Sequence, residues 1–153
     1  MAILAILIRH AKPDLEGKLT DSGRQMQKKV NAFLKSLEVA PTQIWTSPIL
    51  RARETAEIVT QDFGVSAENE MALSELELFD EQEITNKLAA MPDESTVILV
   101  SHGPQIMRLT SYWVGAHILP GSPPTSSATI IEFPGKVGQG KATFVRQINY
   151  SDL

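Results

Sequence analysis

Apolar positions along this chain fall into two kinds of run, and the two kinds alternate. Residues 2–8 are apolar throughout, the pattern of a strand buried on both faces of a parallel sheet. After a polar stretch, Thr20-Asp21-Ser22 offers helix-capping groups, and Met26, Val30, Phe33, Leu34 and Leu37 then recur at the spacing of an amphipathic helix. Gln43–Thr46 reads as a short second strand. Ser47-Pro48 reads as the N-cap and first residue of a helix that buries Ala52, Ala56, Val59 and Phe63 and stops at Gly64.

The second half repeats the theme. An acidic stretch over 65–78 is expected to hold an edge strand near residues 71–73 and then a loop. Ile84, Leu88 and Met91 predict a helix closed by Pro92, and Thr96–Ser101 is another wholly buried strand. Pro104 opens a helix carrying Ile106, Leu109 and Trp113, followed by a proline- and glycine-rich loop over 115–127. Ala128–Phe133 and Thr143–Ile148 predict two strands joined by a glycine-rich turn. This alternation, with no repeat or linker, predicts one α/β domain over residues 1–153. Its three α/β/α layers enclose a mainly parallel sheet, and the last strand pair forms an antiparallel edge. Trp45 and Trp113 are expected in the core, and His117, in the loop, receives no role.

Composition narrows the function classes. A chain of 153 residues, 42% hydrophobic and 21% charged, buries about two thirds of its unfolded surface and needs no disulfide or metal staple. It has no cysteine, which removes disulfides and thiolate metal sites and fits a reducing compartment. A net charge of −4 and a pI near 5.4 argue against a nucleic-acid or acidic-membrane binder. The apolar segment 1–8 stops at Arg9-His10, too short for a membrane span and without a basic leader or small-residue cleavage site. A cytoplasmic protein is the default expectation.

In open α/β sheets the chemistry gathers at the carboxyl ends of the strands. The first strand delivers Arg9-His10, the second Ser47-Pro48 and then Arg51, and the fourth Ser101-His102-Gly103. Each group has an ordinary explanation: a solvated loop for Arg9-His10, a hydrogen-bonded core histidine for His102, an ion pair with Glu54 or Glu57 for Arg51. Yet Arg51 and Arg53 both sit in the first turn of a helix, where a cation opposes the helix dipole. An anion bound in front of that helix would relieve the conflict. Arginine forks match phosphate oxygens, and helix N-termini add N–H donors. A metal site of His10, His102, Glu75 and Asp14 would place a divalent ion against two permanent cations. A serine triad lacks its G-x-S-x-G elbow. Phosphoryl transfer suits the set best. The stretch Gly135-Lys136-Val137-Gly138-Gln139-Gly140-Lys141-Ala142 approaches a P-loop, but Ala142 replaces the metal-binding hydroxyl and a strand follows where a helix is required; it reads as a hairpin turn.

The chain also resembles the histidine phosphatase superfamily, which includes the cofactor-dependent phosphoglycerate mutases. The resemblance rests on Ile8-Arg9-His10-Ala11, Leu19-Thr20-x-x-Gly23, Thr46-Ser47-Pro48-x-x-Arg51-Ala52-x-x-Thr55-Ala56, Leu73-x-Glu75 and Val100-Ser101-His102-Gly103, in family order. The short length and the segment Thr125-Ser126-Ser127-Ala128 look most like the compact phosphohistidine phosphatase branch, with no room for a large lid insertion. The resemblance implies a phosphoglycerate mutase-like fold and no cofactor. It makes His10 the nucleophile, Arg9, Arg51 and His102 the phosphate pocket, and Glu75 the candidate proton donor, with Glu77 and Asp80 as alternatives. Arg53 falls off the motif and is expected to be exposed. Alanine stands at position 11 where the family usually has glycine.

The implied mechanism needs no metal. A neutral His10 nitrogen attacks phosphorus in line, the cationic pocket stabilises the equatorial oxygens, and water hydrolyses the phosphohistidine. An ester substrate requires an acid to protonate its leaving group, whereas phosphohistidine leaves as imidazole and requires little help. The expected substrate is therefore phosphohistidine on a protein such as a histidine phosphotransfer domain. The alternatives are a small phosphate ester or a non-catalytic phosphate-binding module.

Overall fold

The first apolar run forms β1 (Ile3–Arg9), which lies between β4 (Thr96–Ser101), paired in parallel, and β5 (Ala128–Phe133), paired antiparallel. The computed structural model describes residues 2–153; Met1, which begins the apolar segment, lies outside them. Beyond β4 come β2 (Gln43–Thr46) and β3 (Glu70–Ala72), both parallel, and beyond β5 comes β6 (Thr143–Ile148), antiparallel. The sheet order is β3-β2-β4-β1-β5-β6, a mainly parallel sheet with an antiparallel edge, as the alternating pattern predicts.

Because successive side chains on a strand point to opposite faces, the buried strands β1 and β4 feed two cores. Ile6, Ile8, Ile98 and Val100 pack with Val30 and Leu34 of α1 (Asp21–Ser36) and with Ala52, Ala56 and Val59 of α2 (Leu50–Phe63). Ala5, Leu7, Val97 and Leu99 pack with Ile84 and Leu88 of α3 (Glu81–Ala89) and with Ile106, Leu109 and Trp113 of α4 (Gly103–Val114). The result is the three-layer α/β/α arrangement. Trp45 and Trp113 are both buried in the second core. The near-P-loop segment joins the antiparallel strands β5 and β6 as a hairpin connection. Among the described residues no helix is long and apolar enough to cross a membrane.

Two local expectations are corrected. The helix after β2 does not begin at Pro48. Ser47 still donates its N–H to Val100 O at 2.9 Å, so the sheet ladder runs through it, and the first helical residue is Leu50. The N-cap is Ile49. The buried face of α1 also differs from the apolar stripe: Leu37 is exposed, while Gln27 and Asn31 are fully buried. Gln27 Nε2 donates to Asn31 Oδ1 at 2.9 Å, and Asn31 Nδ2 donates to Asp62 Oδ2 of α2 at 3.0 Å. Asn31 is thereby satisfied on both its amide atoms, while Gln27 Oε1 stays buried without a partner among the described residues.

Candidate active site

All the parallel strands end on one edge, and that edge carries Arg9-His10, Ser47 and Ser101-His102. His10 N donates to Ser101 O at 3.0 Å, which ties the end of β1 to the end of β4. The two imidazole rings lie with centroids 5.6 Å apart, tilted by 60° to each other. From the other side Ser126, a fully buried residue in the left-handed region at φ 61°, donates its N–H to Arg9 O at 3.0 Å and His10 O at 3.3 Å. Non-glycine residues adopt this conformation uncommonly and at some cost in strain. The loop over 115–127 also holds the Arg9 guanidinium, whose Nη1 donates to Pro123 O at 2.7 Å.

The loop after His10 is anchored by the remaining motif residues. Ala11 N donates to Thr55 Oγ1 at 2.9 Å, and that hydroxyl donates in turn to Arg51 O at 2.7 Å, coupling the loop after His10 to α2. The Ala11 methyl is buried against Leu19 and Ile58. Thr20 caps α1 by accepting from Gly23 N at 3.0 Å. Gly23 is required by proximity: a Cβ there would stand 2.7 Å from Lys12 O. Leu19 N donates to Glu54 Oε1, and Glu54 also pairs with Arg24 at 2.9 Å. With Glu54 so engaged, Arg51 has no carboxylate partner among the described residues. Arg53 is exposed.

The helix termini follow a matching division. Thr20 caps α1 and Asp80 caps α3 with their side chains, whereas Ile49 and His102, which open α2 and α4, give no side-chain cap. The N–H groups of Leu50 and Arg51 in α2 and of Gly103 and Gln105 in α4, which have no acceptor among the described residues, are thus left for another acceptor at the edge that holds Arg9 and Arg51.

Hydrogen bonding assigns the proton on His10. Nδ1 lies 2.9 Å from Ala11 O, and a carbonyl oxygen only accepts, so Nδ1 carries the hydrogen and Nε2 keeps a lone pair. Nε2 has no hydrogen-bond partner among the described residues and is not one of the sealed, unpaired polar atoms, so it opens to solvent. Burial, aided by Arg51, His102 and Arg9 and opposed by the bond to Ala11, lowers the His10 pKa to about 4. His102 is lowered as well, by burial and then by Arg51 and Arg9, with Glu77 acting in the opposite direction. Its Nε2 lies 3.0 Å from Ser47 Oγ.

The carboxylates divide differently from their order in the sequence. Glu75 accepts from Ser74 Oγ and pairs with Lys87 at 3.4 Å. Its own backbone N–H, then Ser74 and Lys87, hold its pKa below the usual carboxylate range. Asp80 caps α3. Glu77 is the carboxylate whose charge reaches His102. The turn Ser74–Leu76 that immediately precedes it is fastened to the end of β4 by Ser101 Oγ, which donates to Leu76 O at 3.1 Å. His10, His102, Glu75 and Asp14 do not converge; among the described residues no three such groups gather as a metal site. Pattern reading missed the roles of Ser47, Thr55 and Ser126, although all three lie in the segments that carry the resemblance.

The sequence profile of the histidine phosphatase superfamily (branch 1) matches residues 5–90. A search of curated proteins returned no match. Among solved structures, the chain is similar to the protein histidine phosphatase SixA complexed with tungstate, at 22% identity over 97% of this chain and 98% of that one, with a TM-score of 0.83. It is also similar to a mycobacterial glucosyl-3-phosphoglycerate phosphatase, at 16% identity, 94% and 97% coverage and a TM-score of 0.74. A third is a phosphoglycerate mutase from Plasmodium falciparum, at 17% identity, 95% and 90% coverage and a TM-score of 0.72. At these identities the likeness establishes the fold, which the three share across three activities.

Proposed function

This chain belongs to the histidine phosphatase superfamily, and on that premise we propose that it is a phosphatase acting through a phosphohistidine formed on His10. The observation that carries the reading is the His10 hydrogen bond to Ala11 O, which leaves Nε2 as an unprotonated nucleophile on an edge supplied with two arginines. Nε2 attacks phosphorus in line as the leaving group departs opposite. Arg9, Arg51 and His102, with the uncapped amides of α2 and α4, bind the equatorial oxygens. Water then attacks the phosphohistidine, releasing phosphate and the free imidazole. The fixed guanidinium charges take the part that a divalent ion plays elsewhere, so the reaction runs without metal or cofactor. The whole chain acts as a single domain.

The substrate we propose is phosphohistidine on a protein, such as a histidine phosphotransfer domain, as in the compact branch of the superfamily. Glu75, the proton donor by motif position, is bound to Lys87 and held in its ionised form. A substrate whose leaving group needs no acid suits that state. A second reading, hydrolysis of a small phosphate ester, draws support from Glu77, whose charge reaches His102 and which could serve as the acid instead. Hydrolysis of a phosphohistidine-bearing protein, compared with a panel of phosphate esters in the presence of chelator and with His10→Ala as control, separates the two. Preference for the phosphoprotein, lost in the variant, is expected. Preference for an ester moves the function to a metabolite, and turnover of neither refutes the enzyme.

A further inference from the structure

The hydroxyl of Ser47 is fully buried and touches two polar groups. Ile49 N–H approaches Ser47 Oγ at 3.4 Å and can only donate to it. His102 Nε2 approaches the same oxygen at 3.0 Å and can donate or accept. Among the described residues the Ser47 O–H has no other acceptor. If Nε2 also donated, Oγ would accept twice and its own hydrogen would be buried without a partner, which is unfavourable. The satisfied arrangement has Ser47 O–H donating to Nε2.

We propose that Ser47 is a positioning residue that fixes His102 as its Nδ1–H tautomer, so that a neutral imidazole presents an N–H to the phosphoryl group. His102 Nδ1 has no partner among the described residues and is not one of the sealed, unpaired polar atoms, so it is open to a ligand. Arg51 and Arg9 act on the ring to disfavour its protonation and Glu77 to favour it, and the tilted His10 ring has its centroid 5.6 Å away. With two guanidinium groups already supplying positive charge, a third cation would cost desolvation and repulsion. A neutral donor of fixed direction adds a hydrogen bond without that cost, the device by which a neutral histidine polarises a substrate oxygen elsewhere. Ser47 thus serves the site rather than α2, which explains why a Ser-Pro pair ahead of a helix leaves that helix uncapped.

This inference rests on the phosphate-pocket reading of His102, but its test requires no turnover. Two-bond ¹⁵N–¹H correlation spectra of the histidine rings, recorded near neutral pH with and without inorganic phosphate, report the tautomer directly. The expected result is an N–H nitrogen at Nδ1 of His102, a bare nitrogen at Nε2, and a shift of the Nδ1–H signal on adding phosphate. Ser47→Ala is expected to release the tautomer into a mixture and to lower kcat/KM by about ten- to a hundredfold, as loss of a group orienting a ligand does. Ser47→Thr, which keeps the hydroxyl, is expected to restore both. A proton on Nε2 in the native protein overturns the proposal whether or not the variants fold. An unchanged tautomer in folded Ser47→Ala does so as well. Absent turnover with the expected tautomer would refute the enzymatic reading alone.

Discussion

Acidification from pH 7 to 5 is expected to leave the His10 ring, the nucleophile we propose, unprotonated. Burial, reinforced by Arg51, His102 and Arg9 and partly offset by the bond to Ala11 O, takes His10 from 6.5 to about 4, a difference worth about 3 kcal/mol. At pH 5.5 an ordinary histidine is mostly protonated, whereas His10 is expected to be mostly neutral. The same shift sets a sign for stability. Between about 6.5 and 4 the unfolded chain has taken up this proton and the native chain has not, so stability falls as the pH drops through that window and has no contribution from His10 above it. NMR titration of the His10 ring, combined with urea unfolding of the native protein and His10→Ala at pH 7, 5.5 and 4.5, measures both effects. The variant should lose less stability on acidification, by up to about 3 kcal/mol at the low end. A His10 ring titrating between 6 and 7, or parallel pH dependences for the two proteins, would refute the reasoning.

Arg51→Ala should lower kcat/KM by about a hundred- to a thousandfold, the range for losing one preorganised donor to a transition-state oxygen. Arg53→Ala should change it little, and comparable losses in steady-state assays of the two would mean the helix register is misread. Gly23→Ala should destabilise by about 1–3 kcal/mol in urea melts, because its Cβ would press on Lys12 O, a backbone atom with little room to yield. Glu75→Gln should leave hydrolysis of a phosphohistidine substrate unchanged. Glu77→Gln should slow only esters with poor leaving groups, and a uniform loss across leaving groups would contradict a proton-transfer role.

What the sequence makes legible follows from how local each signal is. β1 and β4 are unbroken apolar runs, so their burial on both faces can be read directly, and the residues that end them fall on one edge for any parallel sheet. That logic alone brings Arg9, His10 and His102 together. The start of α2 was not legible, because Ser-Pro is a good local helix opening, whereas the chain here carries the sheet ladder through Ser47, bonded to Val100 in a distant strand, and begins the helix only at Leu50. The buried polar face of α1 was hidden for the same reason: Asn31 is paid for by Asp62 on another helix. The division of labour among Glu75, Glu77 and Asp80 depends on how a short turn is fastened to Ser101 and to α3, which no periodicity encodes.

The most direct test of the central claim is to trap the phosphorylated enzyme. The protein is mixed with a phosphorylated substrate, quenched in alkali to preserve phosphohistidine, digested, and mapped by mass spectrometry and ³¹P NMR. The account predicts one phosphoryl group, on Nε2 of His10, absent from His10→Ala. Phosphate on another residue, or turnover in His10→Ala with no phosphoenzyme, would contradict it.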